Sequence, residues 1–464
     1  MAKKIIKLPW FTVVASSAVL VACVGAVQQS KQANFDGAWR TAQLPLAQSF
    51  AQQYAEIDRN GSTGDLVWAL QLGITERALG NLTTSNQVLD SAERQVNFED
   101  NESAIARAGE LAGSMLVNDA ALDYEPYYYD GVMLNTYKAW NFWQLGDLQN
   151  ARVELNRAEE RQRLAVRYFE QDIVAQREAA FDGAEDQSSL TSSYQGAVKQ
   201  IRRQQGDVLN SEYRAYEGYV NPFTTYSMGL FRMLNPSGSG DYSSARQAFD
   251  RVASVTQNEA FLEDADLVDR LREGRESLNG HTWVILERGQ SVIKREFRIG
   301  IPIYLYGAFN DYYTMALPYL RPRPSALSVA SVNEQRAVEV ADMNRIIETE
   351  FSSQYWRILV REITRATAKM LITREVARRD DDGLATFAAI LAQAATTSAD
   401  TRIVSSLPER FEVIRARRED DFIHLDLGTN SHKIKVDRSA RAHVIYVREI
   451  SGQTEPIIST INIQ

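Results

Sequence analysis

Cys23 is the only cysteine in the chain, and its surroundings point to one piece of chemistry. Leu20, Val21 and Ala22 precede it, Lys3, Lys4 and Lys7 form a basic start, and Trp10 to Val21 is mostly apolar. A thiol in that place can take up a diacylglycerol, and small residues before it let a signal peptidase reach the bond. A plain secretory signal needs no cysteine there. The alternative is an uncleaved membrane anchor. Leu8 to Val27 carries only Thr12, Ser16 and Ser17 as polar members, which is long enough to span a bilayer. Either reading puts the body of the protein outside the cytoplasm.

The Leu20-Val21-Ala22-Cys23 order resembles a bacterial lipobox. It implies removal of residues 1–22, acylation of Cys23, and a short acylated tether over 23–34. Val24 and Gly25 are not an Asp-type retention signal, so the expected address is the periplasmic face of the outer membrane. There the N-terminal lipid is the membrane contact.

Other reactive residue types give weaker patterns. Asp58-Arg59-Asn60-Gly61 starts like a calcium loop, but the twelfth position is Ala69 where a bidentate Glu is required. Asp380-Asp381-Asp382-Gly383 has no further carboxylate nearby and reads as a solvated turn. His424, His432 and His443 fall on three neighbouring expected strands, without a spacing that fixes them on one face. No serine lies in a Gly-x-Ser-x-Gly elbow or a Ser-x-x-Lys pair, and there is no Gly-rich phosphate loop. No catalytic residue, metal ligand or cofactor-binding residue is assigned, and the expectation is a protein that is not an enzyme.

Two constellations are better suited to binding. Tyr124, Tyr127, Tyr128 and Tyr129 are followed by Trp140, Phe142 and Trp143. Aromatic faces of this kind stack on sugars and could touch peptidoglycan; the alternative is a helix packed on its neighbour. Arg357, Arg361, Arg365 and Lys369 step by four along one expected helix and could grip an acidic partner, or form a solvated or internally paired face. Tyr129, Trp140, Trp143 and the four basic residues are the candidate partner-binding set. The uncharged Gly383 to Ala399 segment reads as a buried helix, with a homo-oligomer interface as the alternative.

The net charge of −9 argues against nucleic acid as a partner, because phosphate binding needs a concentrated basic face. With Cys23 acylated no thiol remains for a disulfide, so a hydrophobic core must hold the fold. The length allows two or three domains.

The elements that position these residues divide the chain near Gly280. Residues 35–280 have helical periodicity. Within them Leu79-Gly80-Asn81-Leu82 and Leu145-Gly146-Asp147-Leu148 are offset by 66 residues, each followed by small and bulky apolar residues at helical spacing. Gly240-Asp241-Tyr242 with Ala245, Phe249 and Ala253 reads as a third copy. This pattern resembles the tetratricopeptide repeat, in which Gly allows a tight inter-helix turn and Ala lets two helices approach. Beyond Gly280, Trp283–Leu286 reads as the hairpin partner of Ile293–Leu305 across Gly289, and Pro318, Pro322 and Pro324 as breakers. Helical spacing returns over Glu334–Arg379, and five short strands follow from Phe411 to Ile463. The expectation is an α+β multidomain protein: a TPR-like helical domain, then a β-sandwich-like domain over 281–464 with a helical insertion around 318–400.

Tyr129-Asp130-Gly131-Val132-Met133-Leu134-Asn135, Ala316-Leu317-Pro318, Val360-Arg361-Glu362-Ile363-Thr364-Arg365-Ala366, Ala399-Asp400-Thr401-Arg402 and Leu407-Pro408 together resemble a proteobacterial lipoprotein family of unassigned activity. The resemblance implies fold and address, and brings no catalytic residue with it. Two functions are consistent with this sequence. One is a scaffold or assembly factor for other envelope proteins; the other is a regulator of a peptidoglycan synthase or hydrolase. A regulator of that sort needs a long spacer after its cysteine, and Val24 to Asn34 is too short to provide one.

Overall fold

Asp65 and Asp147 each stand before a helix and accept a backbone N–H from its first turn, from Trp68 and Asn150 respectively. Starts of this kind punctuate a run of antiparallel helices through the N-terminal half. The computed structural model describes residues 10–101, 124–184, 186–205, 221–306, 308–379, 398–428 and 430–464, with the backbone alone for residues 10–24, 97–101, 171–172, 205, 310, 376 and 379. The chain is α+β, with helices in the N-terminal half and mixed sheets in the C-terminal half.

The helices are α1 (Trp10–Arg40), α2 (Leu44–Ala55), α3 (Leu66–Ala78), α4 (Leu82–Asn101), α5 (Tyr128–Gln144) and α6 (Leu148–Arg167). After a π-helical turn at Tyr168–Asp172 come α7 (Ile173–Asp182), α8 (Gln187–Gln205), α9 (Pro222–Leu234), α10 (Ser239–Thr256) and α11 (Leu262–Arg272). Gly80 and Gly146 both turn the chain at positive φ, +80° and +79°, and no neighbour lies where a Cβ would project. The two Leu-Gly turns are therefore conformationally alike. Gly240 differs: it lies in the first turn of α10, so the third sequence copy is not an inter-helix turn. Lys138 on α5 is buried and meets Asp90 and Glu93 of α4 and Glu154 of α6 at 2.7, 2.5 and 3.0 Å, which ties two hairpins together.

The main sheet has the order β11-β10-β1-β7-β6, built from β1 (His281–Arg288), β6 (Val338–Asp342), β7 (Arg410–Arg417), β10 (Ala442–Glu449) and β11 (Ile457–Ile463). β1 runs parallel to β10 and antiparallel to β7. Trp283–Leu286 is thus a central strand and not the partner of Ile293–Leu305. The reason is burial on both sides: Trp283 and Ile285 pack toward the helices, while Val284 and Leu286 pack toward a smaller sheet. That smaller sheet has the order β5-β4-β8-β9, from β4 (Ser331–Val332), β5 (Gln335–Arg336), β8 (Phe422–Asp426) and β9 (Ser431–Lys435).

The true partner of β2 (Ile293–Leu305) is β3 (Ala308–Arg321), and Pro318 lies inside β3 opposite Glu296. In a two-stranded ribbon each strand keeps an open edge, so the missing N–H of a proline disturbs no neighbour. Residues 318–400 are therefore only partly helical. They contain the end of β3, then β4, β5 and β6, before α12 (Met343–Arg379). Ile299, Ile301, Ile303, Met315 and Leu317 of the ribbon pack on Phe351, Tyr355, Leu359 and Ile363 of α12 and on Ala197 and Ile201 of α8. Gly383–Ala399 and Asp380–Asp382 fall almost wholly outside the described residues.

The expected tether is also different. Gln28–Asn34 is helical and continues α1 without a break. Gln32 Nε2 donates to Ser405 Oγ at 2.6 Å, and Lys31 sits 5.0 Å above the Tyr54 ring. Among the described residues no helix is long and apolar enough to cross a membrane. The Cys23 side chain lies outside the described atoms.

Candidate functional site

The aromatic block and the basic row, far apart in sequence, meet at one place. A cavity of about 90 Å³ is lined by Tyr124, Glu125, Tyr127, Lys294, Arg357 and Arg361, among others. Tyr124–Tyr127 enters as the irregular lead into α5, β2 contributes Lys294, and α12 contributes the two arginines. Arg357 and Arg361 share Glu125, at 3.7 and 3.4 Å. Lys294 Nζ lies 4.5 Å from the centre of the Tyr127 ring, a cation–π contact made where both groups are largely withdrawn from water. Asp400 also lines the cavity and holds Arg402 at 2.9 Å.

Behind this cavity sits a buried acidic pair. Asp130 accepts from Tyr124 Oη at 2.7 Å and from Tyr127 N–H at 3.0 Å. Glu350 accepts from the N–H groups of Tyr128 and Tyr129 at the start of α5. Burial raises both carboxyls, Asp130 to about 6 and Glu350 to about 8, against the lowering effect of those hydrogen bonds. The negative charge of Asp130 raises Glu350 further. The void next to Glu350 is only about 20 Å³, which has room for little more than a water molecule, so this pair braces a helix start.

The candidate residues separate into two groups. Tyr129, Trp140 and Trp143 are 3%, 1% and 3% exposed, and this overturns their assignment to a partner surface. Trp140 is held edge-on to Tyr446 of the main sheet at 4.9 Å, stacks near Phe223, and donates Nε1 to Ser227 Oγ. Trp143 packs edge-on to Phe231 of α9 and Tyr129 stacks on Tyr127, so all three rings serve the core, with Trp140 at the seam between helices and sheet. The basic row is not one open stripe either. Arg365 is buried against Glu362, while Arg357 and Arg361 remain partly exposed at the cavity. Lys369 is drawn down to about 8 by burial and by Arg365.

His424 and His432 lie on paired strands of the small sheet, whereas His443 is in the main sheet with Nε2 2.8 Å from the Asp437 carbonyl. No group of residues suited to hold a metal ion occurs among the described residues. Sequence reasoning missed Glu125, Lys294, Glu350 and Asp400. Nothing in their local sequence marks them, since each comes from a different element and only the tertiary fold brings them together. The arrangement can bind: two partly exposed guanidiniums and one half-exposed carboxylate at the rim of a shallow cavity make a small electrostatic docking point. No known family model, no curated protein and no solved structure matches the chain.

Proposed function

We propose that this protein is an outer-membrane-anchored periplasmic lipoprotein, acylated at Cys23, and a non-enzymatic scaffold or assembly factor for an envelope protein complex. In this reading the helical half is a degenerate TPR-like array, supported by the matching geometry of the Gly80 and Gly146 turns. The C-terminal part is β-sandwich-like, supported by the core shared between the main and small sheets. The partners are other envelope proteins, and the Arg357–Arg361 rim suits an acidic one.

One observation carries the reading. Helix α1 passes from the acylation motif into the folded body without a spacer, and it is fastened there by Gln32 and by Asp36, which accepts from Ser405 Oγ and faces Arg323 at 3.7 Å. A body held so close to its anchor is placed to organise neighbours at the membrane. A regulator that reaches to the sacculus needs the free length that this helix removes.

Mass spectrometry of the N-terminal peptide, joined to in-cell cross-linking of the native protein, tests this. Expected are a diacylated Cys23 peptide and cross-links from the α12 rim to defined envelope proteins. An intact Met1–Cys23 segment would overturn the lipoprotein reading. Turnover of purified peptidoglycan by the protein, lost on a single carboxylate substitution, would overturn the non-enzymatic one.

A further inference from the structure

The two edges of the main sheet are finished differently. β6 carries Glu339 and Asp342, and its pairing with β7 shifts register between Glu339 and Ala341, which are common ways of blunting an edge. β11 has none of these features. Ile457-Ile458-Ser459-Thr460-Ile461-Asn462-Ile463 contains no charge and no proline, and pairs with β10 in continuous register. Among the described strands β11 is bonded to β10 alone, so its outer row of backbone groups can receive another strand.

Beside that edge, on the helix-facing side of the sheet, lies a cavity of about 290 Å³. Its walls include Ile457 and Ser459 of β11, Leu79 and Leu82 of the first Leu-Gly turn, and Gln144 at the end of α5. Leu145 and Leu148, in the turn that follows Gln144, are exposed. The leucines of the repeat turns, half-buried at Leu79 and Leu82 and exposed at Leu145 and Leu148, thus supply apolar surface near the edge.

The cavity also has polar groups with capacity left. Arg77 lines it, stacked 4.5 Å from the Tyr446 ring, and gives NH1 to Asn141. Arg448 lines it too, but its NH1 and NH2 go to backbone carbonyls of Glu287, Gly289 and Ser406. Glu287, the one carboxylate among the described lining residues, accepts from the hydroxyls of Tyr137 and Tyr446 and faces Arg448 Nε at 3.3 Å. Trp39 also lines the cavity and is fully buried, and its Nε1–H has no protein partner among the described residues. Arg448 is paired with Glu287, so the positive charge of Arg77 has no carboxylate opposite it among the described residues, and with the indole donor this favours an anionic group.

We propose that the β11 edge captures an extended peptide of a partner protein as a sixth strand, with one acidic side chain seated beside Arg77. Main-chain hydrogen bonds along β11 supply affinity, and the cavity selects the side chain that points toward the helices. This deepens the scaffold reading and rests on it, although the assay below uses purified protein and does not depend on the cross-linking result.

The probe is a synthetic nine-residue peptide of alternating Thr and Val with a central Glu, offered to the full-length protein in detergent. Expected is binding that slows hydrogen exchange of the Ile457–Ile463 amides. The same peptide with alternate amides N-methylated should lose binding, because methylation removes the strand-pairing donors. Replacing its Glu by Gln should weaken binding at least tenfold, and Arg77→Gln in the protein should erase that tenfold difference. Equal binding of the N-methylated peptide, no binding at all, or protection at a site other than β11 would overturn the proposal. A peptide-free dimer that protects the same amides would also overturn it, by assigning the edge to a second copy.

Discussion

Glu350 on α12 caps the helix that begins at Tyr128, 222 residues earlier in the chain. One carboxylate oxygen accepts from Tyr128 N–H at 2.6 Å and the other from Tyr129 N–H at 3.2 Å. Helix starts are usually capped by the residue just before them. Here the cap is tertiary, so the start of α5 and the position of α12 are one structural unit.

That unit gives the protein a defined pH response. Asp130 and Glu350 bind protons more tightly folded than unfolded, with values of about 6 and about 8. A raised carboxyl stabilises the fold below its unfolded pKa, and that contribution is lost as pH rises through the folded pKa. The melting temperature should therefore fall between pH 5 and pH 8.5. Glu350→Gln should flatten the upper part of the profile, and should cost about 1 kcal/mol at pH 5 because one amide oxygen replaces two acceptors. A parent profile that rises across this window would exclude the assignment.

Gly80→Val and Gly146→Val should each destabilise the helical half by about 1 kcal/mol or more, since both positions hold positive φ. Gly240→Ala is the control. It lies in a helical first turn with open space around it, and should be neutral or slightly stabilising. Thermal melts of the three variants that failed to separate in this way would contradict the turn geometry.

Charge reversal at Arg361 and Arg365 should have unequal effects. Arg365→Glu places two carboxylates together in a buried position beside Glu362 and should cost about 3 kcal/mol or more. Arg361→Glu loses a partly exposed contact to Glu125 and should change stability by less than about 1 kcal/mol. Denaturant titration measures both. Only the Arg361 variant is then a clean probe of partner binding, in which it should slow association and reduce its salt dependence.

Asp36→Asn should loosen α1. Arg323 is buried and its pKa is depressed to about 10 by desolvation, with Asp36 as the main compensating charge. Removing that charge should speed hydrogen exchange over residues 25–40 while leaving β1 and β10 protected. Unchanged exchange in α1 would mean that its docking does not depend on this contact.

The sequence by itself determined the local elements. Period-3.6 apolar spacing placed the helices before Gly280, glycine chemistry placed the turns at Gly80 and Gly146, and alternation placed five strands between Phe411 and Ile463. These are properties of neighbours along the chain, so a linear reading reaches them. Strand pairing was decided only in three dimensions. Trp283–Leu286 is apolar on both faces, and whether it pairs with Ile293–Leu305 or sits between β7 and β10 depends on surfaces more than a hundred residues away. The same holds for the candidate site. Tyr129 and Trp140 are aromatic enough for either a partner surface or a core, and it is distant elements, the main sheet over Trp140 and α12 beside Tyr129, that make them core. Glu125, Lys294 and Glu350 carry no local signature, because burial and charge pairing across distant elements, not spacing, give them their chemistry.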